Sequence, residues 1–150
     1  MGNAIDRLFN EWNQLGGSVL LDSYELIAVE REQEQVIAES TSYCRRSGRL
    51  TWIMLDWLIR NVDDINEKKL LQEAKKLGDL SVLGLICDIA YTRNSDKKFS
   101  EITQNCSKNT KMEIFFHRVA KSAIAEKITR ENALDIFKKW NFLCNEIRFL

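Results

Sequence analysis

Apolar residues recur at helical spacing along almost the entire chain. Ile5, Leu8, Phe9, Trp12 and Leu15 fall on one face at about 100° per residue, which predicts a first amphipathic helix. Gly16-Gly17-Ser18 ends it. Asp22 and Glu25 have capping-pair spacing ahead of a Glu- and Gln-rich segment that runs to about Arg46. The apolar residues of that segment step by roughly seven, which suits a kinked or two-part helix. Ser47-Gly48 closes it, and residues 49–61 form the most hydrophobic predicted helix.

Asn66 is placed to cap a helix over 67–77, with Gly78 as its stop, and Asp79 to cap another over 80–92. Connections this short require neighbouring helices to fold back on one another. The stretch from Thr92 to Asn109 is polar apart from Phe99 and Ile102 and reads as a surface loop holding one helical turn. Thr110 and Glu113 form a capping box before residues 111–127. Thr129 is placed to cap a last helix over 130–148, striped by Ala133, Ile136, Phe137, Trp140, Leu143, Cys144 and Ile147. The expected fold is all-α: one domain over residues 1–150, with seven to eight helices in an antiparallel array.

Composition supports that expectation at one point in particular. None of the 150 residues is proline, the residue that breaks helix interiors. A hydrophobic content of 45% with 29% charged residues is ordinary for a globular chain. Net charge is zero, which argues against a protein that coats nucleic acid. The zero conceals a split. Residues 1–44 hold eight acids against Arg7 and Arg31, a net −6, and the remainder carries +6. Two arrangements produce such a split: the acidic part docks on the basic part, or the surface is bipolar.

The four cysteines, Cys44, Cys87, Cys106 and Cys144, never form C-x-x-C. Three lie in helical apolar patterns, where a thiol behaves as a small hydrophobe. Met1 leads directly into a charged amphipathic segment rather than a signal peptide, and no apolar run approaches the roughly 20 residues of a membrane span. A reducing, cytoplasmic setting without membrane contact is expected.

Candidate chemistry is sparse. The one histidine, His117, stands four residues after Glu113, a spacing that suits a helical hydrogen bond. A zinc site needs three or four converging ligands, and no second histidine exists. No arginine stands four to six residues ahead of His117, which disfavours the Arg–His pair of small helical ribonucleases. Neither a phosphate loop nor a nucleophile triad is present. No catalytic residue, cofactor or metal is therefore assigned.

Arg45, Arg46 and Arg49 cluster before the hydrophobic helix and form the candidate contact for an anion or nucleic acid. Their alternative role is pairing with the acidic first 44 residues. In the helix over 49–61, Trp52, Leu55 and Ile59 fall opposite the main stripe, and Phe142 and Phe149 do the same in the last helix. These five are the candidate partner-binding residues, since exposed aromatics concentrate at interfaces. The expected function is a non-catalytic interaction or regulatory module. It binds a protein partner or itself, as in the small complexes of toxin–antitoxin or phage-defence systems. A helical DNA-binding regulator and a small enzyme or nucleic-acid-processing accessory protein are the alternatives.

Overall fold

The computed structural model describes residues 4–17, 31–116 and 123–145. Over these residues the chain is a compact helical domain with eight α-helices and almost no strand. The buried apolar side chains form one cluster, from Leu8 in the first helix to Cys144 near the end.

α1 (Ala4–Gln14) buries Leu8 and Trp12. The Trp12 indole donates to Ser40 Oγ at 2.9 Å and meets the Trp57 ring edge-on at 5.4 Å. Gly16 turns the chain with a φ of 87°, a conformation glycine adopts without strain. α2 (Gln33–Thr41) begins where Gln35 Oε1 accepts the Glu32 amide at 3.2 Å. It is shorter than the segment expected to end at Arg46. A separate 3₁₀ turn, Cys44–Arg46, follows it.

α3 (Gly48–Asn61) starts on Ser47, whose hydroxyl accepts the Leu50 amide at 3.1 Å. α4 (Glu67–Leu77) starts on Asn66 and α5 (Leu80–Arg93) on Asp79, whose side chains accept the Lys69 and the Ser81 and Val82 amides. These caps match the expected ones because each residue's short polar side chain satisfies otherwise orphaned first-turn amides. α5 buries Val82, Leu83, Leu85, Ile86, Cys87, Ile89 and Ala90, apolar around most of its circumference. It packs between α3 and α6 and also meets α8.

Three expectations about the later chain require correction. The polar stretch after Thr92 holds α6 (Lys97–Gln104), capped by Asp96 and buried through Phe99 and Ile102. Two apolar residues three apart suffice because α5 supplies a broad apolar wall. No helix begins at Thr110: Glu113–Ile114 is β1; His117, the other member of the expected helical pair, lies outside the described residues.

The helix expected over 130–148 is also not formed over its described part, residues 130–145. α7 (Ala123–Glu131) contains Thr129, which is buried, and α8 (Asp135–Lys138) is a single turn. Asn141 then adopts a φ of 63°, which asparagine tolerates better than most residues. β2 (Phe142–Leu143) follows and pairs in parallel with β1, in register Glu113↔Phe142 and Ile114↔Leu143. Phe142, Leu143 and Cys144 are consecutive and all buried. An extended segment between two layers buries residues on both of its faces, whereas a helix with one buried face would expose part of this trio.

The expected capping pair of Asp22 and Glu25 lies outside the described residues.

Candidate functional site

α3 is enclosed on most of its circumference. Leu50, Thr51, Ile53, Met54, Leu55, Trp57 and Leu58 are buried against α1, α2 and α5. One stripe remains outside: Arg49, Trp52, Asp56, Ile59 and Arg60, spaced as helical neighbours. Trp52 is 40% exposed. Arg60 clasps Asp56 one turn away, Nε to Oδ2 at 3.0 Å. Ile59 is half-buried against the core, and its carbonyl accepts the Asn94 side-chain amide at 3.0 Å, which fixes the end of the stripe to α5. The Arg49 guanidinium lies over the Phe9 ring at 5.1 Å.

The indole nitrogens distinguish Trp52 from the other three tryptophans. Trp12 donates to Ser40, Trp57 to the Leu15 carbonyl at 3.0 Å, and Trp140 to Asp88 at 3.0 Å. Among the described residues, Trp52 has no such acceptor. Buried indoles usually find a partner, and at interfaces the apolar ring and polar N–H are both used.

Of the sequence-derived partner residues, Trp52 and Ile59 share this stripe. Leu55 and Phe142 do not belong to any surface, since both are fully buried. Leu55 is buried because the elements packed on α3 cover more of its circumference than a single inward stripe. Phe142 sits in an aromatic cluster in which Phe115 is the hub, with ring centroids 5.1 Å from Phe142, 5.5 Å from Phe137 and 4.7 Å from Phe116. Phe149 lies outside the described residues.

The arginine triplet is not one basic patch. Arg45 points into the β1 region and donates to the Phe115 carbonyl at 2.9 Å and the Ile114 carbonyl at 2.7 Å. It also covers the Phe142 ring at 5.0 Å and reaches Glu113 at 3.9 Å. Its side chain serves as a clasp holding the outer edge of β1 to the helical body. Arg46 stacks on Tyr43 and Arg49 on Phe9. Among the described residues the Arg45 carboxylate partner is therefore Glu113 rather than a residue of the acidic first 44.

The acidic segment is bridged mainly by its own two arginines, with Lys69 joining from α4. Arg31 joins Glu11 of α1 to Glu39 of α2, each at 2.6 Å. Arg7 also bonds Glu39, and Lys69 of α4 bonds Glu32. The hydrogen bond to Glu11 holds the Arg31 guanidinium above its ordinary pKa, with Glu39 adding to the effect and burial opposing it. Sequence inspection missed this bridge because its three members come from three separate segments. The net −6 of the first 44 residues was its only signal.

No group of three or more His, Cys, Asp or Glu side chains is placed to hold a metal ion among the described residues. No helix there is long and apolar enough to cross a membrane. No disulfide joins any of the four cysteines. Comparison with known proteins finds no matching family model, no matching curated protein and no matching solved structure.

Proposed function

We propose that the protein is a non-catalytic interaction module that docks a polypeptide partner on the outer stripe of α3, with Trp52 at its centre. The observation that carries this reading is the half-exposed Trp52 indole, whose N–H lacks an acceptor among the described residues while the other three indoles have one. Tryptophan and arginine are the residues most enriched among binding hot spots. Arg49 and the Asp56–Arg60 pair supply a charged rim beside the ring. Ile59 extends the apolar strip by two turns. The rigid core under α3 pre-organises the surface and lowers the entropy lost on binding. Four cysteines without a disulfide suit a reducing compartment such as the cytoplasm.

A nucleic-acid surface finds less support. Arg45 is engaged with backbone carbonyls, and the aromatic faces of Tyr43 and Phe9 are covered by Arg46 and Arg49. Bases therefore lack open rings there on which to stack.

The test is parallel affinity purification of the wild-type protein and Trp52→Ala, after nuclease treatment, with quantification of co-purifying polypeptides. A polypeptide held at fixed stoichiometry by the wild type and depleted about tenfold or more by the variant is expected, as for an anchor residue worth over about 1.4 kcal/mol. Equal retention by Trp52→Ala, or complete release by nuclease, would refute the reading.

A further inference from the structure

Away from the α3 stripe, an open cleft of about 510 Å³ lies between the α4–α5 corner and the segment 107–110. Its volume falls within the range of about 300–1,000 Å³ common for small-molecule sites. The corner wall is rigid. Gly78 approaches α2 so closely that a Cβ there would overlap the Ala38 carbonyl and Thr41 Oγ1. The Asp79 amide donates to Thr41 Oγ1 at 2.8 Å, and Ser42 Oγ donates to the Leu77 carbonyl at 2.8 Å. The facing wall is held by Asn109, whose amide donates to the Trp140 carbonyl at 3.2 Å and whose side chain donates to Glu113 at 2.9 Å.

The lining contains two cations, Lys75 and Lys108, against one acid, Asp79. The acid is already engaged: Asp79 Oδ1 accepts the Ser81 amide at 3.0 Å, the Ser81 hydroxyl at 2.5 Å and the Val82 amide at 3.3 Å. Those first-turn amides of α5 are therefore spent on Asp79 and offer nothing to a ligand. Lys75 and Lys108 differ from Lys69, Lys98 and Lys139, which hold Glu32, the Val62 and Ile65 carbonyls, and Asp88 respectively. Neither cleft lysine has a hydrogen bond or ion pair among the described residues, and the same is true of the Ser107 and Thr110 hydroxyls. Two ammonium groups and two hydroxyl donors suit a phosphate, which carries about −1.5 to −2 charge and three acceptor oxygens. Ala74 and Leu80 add apolar lining to the same cleft.

We propose that this cleft binds a phosphate monoester of a small organic molecule, with the phosphate between Lys75 and Lys108 and the organic body against Ala74 and Leu80. Amide-detected NMR titration of the full chain with phenyl phosphate, and separately with inorganic phosphate, tests it. Saturable shifts at Ser81 and Ser107 are expected, tighter for phenyl phosphate. The exposed pair Lys75→Gln/Lys108→Gln should leave the fold intact and weaken binding by about tenfold or more. The same charge change placed outside the cleft, Lys68→Gln/Lys138→Gln, should have little effect. Absent or non-saturable shifts, unchanged binding in the cleft variant, or equal loss in the control variant would overturn the proposal. Inorganic phosphate binding as tightly as phenyl phosphate would overturn the monoester assignment.

Discussion

Phe142→Ala separates a core role from a surface role at the C-terminal end of the described chain. Phe142 has no exposed surface. Its ring stands perpendicular to Phe115 at 89° and 5.1 Å, and the Arg45 guanidinium covers it at 5.0 Å. Truncating a buried phenylalanine to alanine typically costs about 3–5 kcal/mol through lost transfer energy and the cavity left behind. The edge-on ring pair, worth about 0.5–1.5 kcal/mol beyond area burial, is contained in that figure. Against a total stability of about 5–15 kcal/mol, the variant should shift the urea midpoint far to the left with an unchanged slope. Phe142→Leu retains most of the volume and loses the ring, so a loss below about 1.5 kcal/mol is expected. Far-UV circular dichroism during urea unfolding supplies both values. A Phe142→Ala loss under about 1 kcal/mol would refute the packed β2 segment and restore a surface role for Phe142.

Gly84→Ala should destabilise by about 1–3 kcal/mol through overpacking, because a Cβ there would intrude on the Trp140 ring and come within 2.9 Å of Cys106 Cβ; an unchanged near-UV tryptophan spectrum and melting temperature would contradict this. Arg31→Gln leaves Glu11 and Glu39 without their shared cation and should cost about 1–3 kcal/mol. The deficit should narrow in high salt, and a salt-independent loss would point to packing instead. Burial pushes the Cys44 and Cys106 thiols up to about 12 and raises Cys87 well above the ordinary 9.0. The folded chain therefore holds these protons more tightly than the unfolded one. Their stabilising contribution is full below pH 9 and declines as pH rises towards 12. Cys44→Ala should flatten part of that slope, and a slope identical to wild type would exclude Cys44 as a source.

The middle of the chain was legible because its signals are local. Asn66 and Asp79 each stand directly before an apolar-periodic run and cap the helix they precede, while Ser47, read only as the close of the segment before it, caps α3. The end of the chain misled for an equally physical reason. Phe137, Trp140 and Cys144 are spaced like one helical stripe, yet the turn at Asn141 sends Phe142 and Leu143 into pairing with a strand some thirty residues earlier. Phe142 standing opposite the stripe was the sign that a helix could not bury this segment.

The arginine triplet shows the same limit. Neighbouring positions suggested one patch, but Arg45 is directed to carbonyls about seventy residues away, a destination no local pattern encodes. Trp52 and Ile59 were readable as outward residues of α3. Leu55 was not, because how far neighbouring elements reach around that helix depends on tertiary packing.

Site-specific photo-crosslinking tests the central claim most directly. A benzophenone side chain placed at Trp52, in the native cellular background, samples what covers the α3 stripe. The same group at Lys76, an exposed position on α4, samples collision with bulk protein. The account predicts one dominant polypeptide adduct from position 52 and none of that mass from position 76. Identical adduct patterns from both positions, or a nucleic-acid adduct from position 52, would contradict it.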